Sequence, residues 1–101
     1  MPKGKMLVWS NPASAEREAE YNKWYDSVHV PDVLKLDGIN AATRYKVSGT
    51  ADTPGQYLAI YEVQAASFDD IMTALGTAFA DGSMPMSDCI APGPLYFVEE
   101  V

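Results

Sequence analysis

Two short runs of this chain are apolar on both of the faces that a β-strand presents, which places them inside a sheet that must be covered from two sides. In Gln56 to Gln64 (QYLAIYEVQ), Tyr57, Ala59, Tyr61 and Val63 alternate with Leu58 and Ile60, so neither face is wet. Lys5 to Ser10 (KMLVWS) is a second apolar run without alternation. Both read as central strands. After the turn signal Asp37-Gly38 the pattern changes, with Ile39, Ala41, Thr43, Tyr45 and Val47 on one side and Asn40, Ala42, Arg44, Lys46 and Ser48 on the other. That is an edge strand with one wetter face. Leu95 to Val101 (LYFVEEV) supplies a fourth strand.

Two helices separate these strands. Asn11-Pro12 breaks the first strand, Ser14 stands where an N-cap is needed, and Glu16, Glu18 and Glu20 follow where the helix dipole favours negative charge. The first helix is expected from about Ala15 to about Val28. Pro31 lacks an N–H and disfavours helical geometry at Val30, so the helix should end near His29, with Asp32 to Leu36 adding one short turn. Ser67 caps the second helix, whose inner face carries Phe68, Ile71, Met72, Leu75 and Phe79, and which should end near Asp81-Gly82. Gly49 to Gly55 has loop composition, and Ser83 to Pro94, with three prolines, reads as an irregular connection.

The resulting order, β-α-β-β-α-β over residues 1–101, is that of a single α+β domain of ferredoxin-like topology. It has a four-stranded antiparallel sheet with both helices on one face, and its first and third strands are central. The chain's own helices cover only that face. The other is expected to meet a second copy, giving a homodimer with its sheets packed face to face.

Composition narrows the partners. Hydrophobic residues make up 48% and charged ones 21%, which fits a folded domain. A formal charge of −7 with scattered Lys and Arg repels phosphate backbones and anionic lipids, so neither nucleic acid nor membrane is expected. No apolar run is long enough to span a bilayer, and a cytoplasmic protein is expected. The lone cysteine, Cys89, rules out an intrachain disulfide and has no histidine near it in sequence to make it a nucleophile. One Cys, one His and no clustered metal or nucleotide motif predict chemistry without metal or cofactor.

The chemistry concentrates between Tyr21 and Asp37. On a helix, Tyr21, Trp24, Tyr25 and Val28 form an apolar stripe, and Asn22, Asp26 and His29 form a polar one beside it. His29 is the candidate general base, with a pKa near neutrality; Asp26 is placed to orient it, and Tyr25 to donate to a developing oxyanion. Asn22 is a candidate for a substrate carbonyl, and Trp9, Tyr21, Trp24, Tyr57, Tyr61, Met72 and Phe79 for the walls of a cavity. Each also has an ordinary structural role, as a core aromatic, an exposed polar residue or a helix-terminal histidine. Arg44, on the wetter strand face, is expected to make an ion pair with the dimer partner.

Trp24-Tyr25, His29-x-Pro31-x-x-Leu34, Gly38 and Arg44-Tyr45 together resemble the EthD-like branch of the dimeric α/β-barrel superfamily. Proline commonly precedes this glycine there, and Asp37 stands in its place. The resemblance implies ferredoxin-like protomers paired into a barrel, with an aromatic-lined cavity between helices and sheet. Such proteins include polyketide cyclases, lactone isomerases, lyases, cofactor-free monooxygenases and members with no established activity. The expected function is cofactor-independent proton transfer on a small hydrophobic aromatic or polycyclic carbonyl or phenolic compound, of lyase, dehydratase, cyclase or isomerase type. The alternatives are a cofactor-free monooxygenase and a non-catalytic ligand-binding or stress-associated dimer.

Overall fold

The computed structural model describes residues 3–48 and 52–101. Residues Gly49 to Ala51 of the expected loop lie outside the described residues. The strands are β1 (Lys3–Pro12), β2 (Ile39–Lys46), β3 (Tyr57–Gln64) and β4 (Ile90–Glu99), in one antiparallel sheet of order β2-β3-β1-β4. The two doubly apolar runs are therefore the central strands. Helical structure crosses one face only, making a ferredoxin-like α+β fold.

The first helical stretch changes type along its length. A 3₁₀ turn (Ala15–Arg17) leads into α1 (Glu18–Trp24), then a π-helical turn (Tyr25–His29), then α2 (Val30–Leu34). Ser14 precedes it in extended conformation, without a side-chain cap bond. The expected stop at Pro31 does not occur. The Val30 N–H reaches back five residues to the Tyr25 carbonyl, so α2 begins anew at Val30 and Pro31 falls in its first turn. A missing N–H is harmless there, because first-turn donors have no partner within the helix.

After α2 the chain reverses at Gly38, whose φ of 90° favours glycine. An extra residue then enters β2, where Ile39 pairs with Val63 but Ala41 with Glu62. The bulge reverses the parity expected from simple alternation. Ile39 stays buried, while Ala42 and Arg44, opposite Tyr61 and Ala59, face the helices. Arg44 thus points into its own protomer, and its expected pairing with a dimer partner is corrected.

The second helix, α3 (Phe68–Asp81), is capped by the Ser67 hydroxyl accepting from Asp69 N and ends at left-handed Gly82, as its sequence signals require. Ile71, Leu75 and Ala78 are its buried residues; Met72 and Phe79 are each 46% exposed on its flank and do not belong to the core. β4 starts at Ile90, inside the expected irregular segment. Pro92 and Pro94 are tolerated because β4 is an edge strand. The preceding residues, among them buried Met84 and Cys89, pack beside β1, where Ala13 N bonds to Cys89 O at 2.8 Å.

The core lies between helices and sheet, around Met6, Tyr21, Tyr25, Tyr61, Val63 and Ile71. The other face carries Leu7 and Trp9 from β1, paired with Ile60 and Leu58 of β3. Half-exposed Tyr45, Tyr96 and Val98 flank them. Among the described residues, no helix is long and apolar enough to cross a membrane.

Candidate functional site

The π-turn decides where His29 goes. On an α-helix, residues five apart diverge by about 140°, yet here the rings of Trp24 and His29 stack at 4.9 Å and 18°. A turn that bonds i to i+5 brings such residues over one another. Tyr25 meets His29 edge-on, at 5.0 Å and 88°, and is itself 5.8 Å from Trp24, so the three rings form one cluster. The imidazole packs against two aromatic rings at only 7% exposure.

His29 borders an apolar cavity of about 60 Å³ between the helices and the sheet. The helical layer contributes His29, Val33, Leu75 and Phe79. The sheet contributes Met6 and Val8 from β1, Tyr61 from β3 and Leu95 from β4. Residues 83–94 do not line it. His29 Nδ1, Tyr61 OH, Tyr25 OH and Arg44 Nε are buried here without a well-formed hydrogen bond, the two phenol hydroxyls lying close enough to each other to influence one another's titration. Such groups are uncommon in a folded interior, where each costs about 1–3 kcal/mol.

Burial sets the titration of His29 and both tyrosines. It pushes the His29 imidazole down to about 4; the positive charge of Arg44 adds to this and the nearby Asp32 carboxylate opposes it. The expected near-neutral value is therefore corrected. Burial likewise raises the Tyr25 phenol to about 12, and the Tyr61 phenol further still. At neutral pH the site holds a neutral imidazole and two protonated phenols. It can accept a proton at nitrogen and donate a hydrogen bond from a phenol, and it presents no fixed charge to a ligand.

Beside the cavity, Arg44 organises the remaining polar residues. Its guanidinium lies 4.2 Å from the centre of the Tyr25 ring. It donates to Asp26 Oδ1 at 3.0 Å and to Asn22 Oδ1 at 2.9 Å. Asn22 Nδ2 donates to the Tyr57 hydroxyl at 3.2 Å, which donates to Glu18 Oε2 at 2.6 Å. Lys46 Nζ donates to the same carboxylate oxygen at 3.2 Å. Hydrogen bonding from Tyr57, then from Lys46, holds the Glu18 carboxyl below its usual value.

This network redistributes the roles expected from sequence. Asp26, 66% exposed at its side chain, pairs with Arg44 and leaves His29 without an orienting carboxylate. Asn22 spends its amide on Arg44 and Tyr57, so it is not free to hold a substrate carbonyl. The Tyr21 and Ser10 hydroxyls bond to each other at 2.5 Å, and Tyr57 is tied into the Glu18 network. Trp9, paired with Leu58, lies on the opposite face of the sheet, and Met72 does not reach the cavity. Tyr61 and Phe79 do line it with His29, while Trp24 and Tyr25 hold the imidazole. Met6, Val8, Val33, Leu75 and Leu95 complete the walls, and only their apolar character in core-forming elements could have marked them. Among the described residues, no group of three or more His, Cys, Asp or Glu side chains is placed to hold a metal ion.

No protein-family model matches the sequence. No curated protein matches it either. Among solved structures it is similar to HapK from Hahella chejuensis, with a TM-score of 0.62 over 96% of this chain and 91% of that one, at 15% identity. At that identity the likeness concerns the fold, the ferredoxin-like α+β arrangement described above.

The state of His29 has a consequence for stability. An unfolded histidine binds its proton near 6.5, the folded one near 4. Between these values the unfolded chain holds more protons, so the contribution is complete above pH 6.5 and is lost as pH falls toward 4. A shift of this size corresponds to ~3 kcal/mol. Urea denaturation of wild type and His29→Gln at pH 4.5 and 7.5 isolates it. Wild type should gain ~2–3 kcal/mol more than the variant on going to the higher pH; equal gains would mean that His29 is not buried as a neutral base.

Proposed function

We propose that this protein is a cofactor-independent enzyme of the EthD-like branch of the dimeric α/β-barrel superfamily, moving a proton at His29. Its substrate is a small hydrophobic aromatic or polycyclic carbonyl or phenolic compound, and its chemistry is of lyase, dehydratase, cyclase or isomerase type. One observation carries the reading: a buried imidazole with an unpartnered Nδ1 and a buried phenol, Tyr61, whose hydroxyl has only the neighbouring Tyr25 hydroxyl near it, line one apolar cavity. Neutral His29 takes the proton, and Tyr61, rather than Tyr25, donates to the oxygen on which charge develops. Apolar walls keep competing water out and strengthen both interactions.

The working unit in this reading is a homodimer. The sheet face bearing Leu7, Trp9, Leu58 and Ile60 has no helix of its own chain over it, and packing it against a second copy would remove this apolar surface from water. The lone, buried Cys89 fits a reducing, cytoplasmic setting. Light scattering on the purified protein should give twice 11.0 kDa, and a mass of 11.0 kDa would remove the barrel.

One observation favours the second reading, a ligand-binding dimer without chemistry. A base whose pKa lies at about 4 is poorly matched to proton abstraction at neutral pH. Deuterium exchange at the methyl group of acetophenone, followed by NMR in D₂O, separates the two. Proton transfer predicts exchange above the buffer rate and a loss of about a hundredfold or more in His29→Ala. Binding of acetophenone with exchange no faster than buffer would transfer the assignment to the binding protein.

A further inference from the structure

The cavity beside His29 is smaller than any ring-bearing ligand. At about 60 Å³ it holds the liquid volume of roughly two water molecules, whereas an apolar cavity that takes up benzene measures roughly 150 Å³. A ring can enter only if a wall moves. Met6, Val33, Tyr61 and Leu75 are at most 5% exposed and close-packed in the core, so displacing any of them would open a void there. Val8 and Leu95 are only partly buried but are held on paired strands, whereas Phe79 lines the cavity from a helix and at 46% is the lining side chain most open to solvent. An aromatic side chain on a helix has two accessible χ1 wells, and passing between them here gives up packing on one side only.

We infer that Phe79 is the door of this cavity, and that the ligand it admits is a single six-membered ring bearing one hydroxyl or carbonyl group. The inference rests on the reading of the His29 cavity as a ligand site. When the Phe79 ring swings toward solvent, the space filled by its inner side joins the space already open beside His29 and Tyr61. The incoming ring takes the place of the departing one, and its polar head occupies the original cavity. There Tyr61 donates to its oxygen, and Nδ1 of an Nε2–H imidazole accepts from a hydroxyl. A charged ligand is refused, because no lining residue carries a charge to pair with it. A fused bicycle needs a second ring's volume, which would have to come from the strand residues Val8 and Leu95 or from the close-packed ones.

Phenol and 2-naphthol serve as the probes, and the imidazole proton resonances of the only histidine report occupancy. Wild type should bind phenol at least about tenfold more tightly than 2-naphthol, and Phe79→Ala should bind 2-naphthol at least about tenfold more tightly than wild type does. Phe79→Trp, which enlarges the door, should weaken phenol by about tenfold or more. If all three proteins bind each probe alike, the door is overturned while the ligand site stands. If neither probe perturbs His29 in any of them, the door and the ligand site both fall.

Discussion

The widened turn from Tyr25 to His29 is the constraint on which the rest of the site depends. An α-helix carried through Pro31 would press the pyrrolidine ring against the Ser27 carbonyl and lose a hydrogen bond. The five-residue reach from Val30 N–H to Tyr25 O relieves that conflict by restarting the helix one residue before the proline. The same extra residue turns His29 over Trp24. A backbone adjustment made to pass a proline therefore places the chain's only imidazole against the sheet. Single π-turns of this kind recur at functional sites.

Two kinds of polar environment follow, separated by the Tyr25 ring. On one side Arg44 lies on that ring and is bonded to Asp26 and Asn22, tying β2 to the helix above it. On the other side His29 and Tyr61 front an apolar space, where His29 Nδ1 has no partner and the Tyr61 hydroxyl has only that of Tyr25 near it. The first arrangement pairs the Arg44 charge with Asp26, though its Nε stays unpartnered, and contributes to stability, since a guanidinium over an aromatic face is worth roughly 0.5–2 kcal/mol. The second leaves a buried acceptor unmet, which is uncommon in a folded interior and is what the proposed ligand site draws on. Arg44 also acts across the ring, its charge helping to keep the imidazole neutral.

The fold was legible in the sequence because it is written in strand periodicity. The doubly apolar runs at β1 and β3 identify the centre of the sheet, and Ser67 and Gly82 mark the ends of α3. The site was legible only in part. His29, Tyr61 and Phe79 were named from residue type, but facing directions depend on single-residue insertions that no periodic pattern reveals. The bulge between Ile39 and Ala41 turned Arg44 from the far face to the helix side. That drew Asp26 and Asn22 away from the roles their helical spacing suggested. The π-turn overrode the local rule that a proline ends the preceding helix. Trp9 was placed with the other aromatics by composition, while its pairing with Leu58 sets it on the opposite face.

In the proposed function His29 is a neutral base whose buried, unpartnered Nδ1 is met by a ligand entering the cavity. Nitrogen-15 NMR of the single imidazole, recorded at neutral pH with and without phenol, tests it most directly. The account predicts a neutral Nε2–H tautomer in the free protein and a phenol-induced shift at Nδ1 that leaves Nε2 largely unmoved. An imidazolium at neutral pH, or an Nδ1 resonance indifferent to phenol, would contradict it.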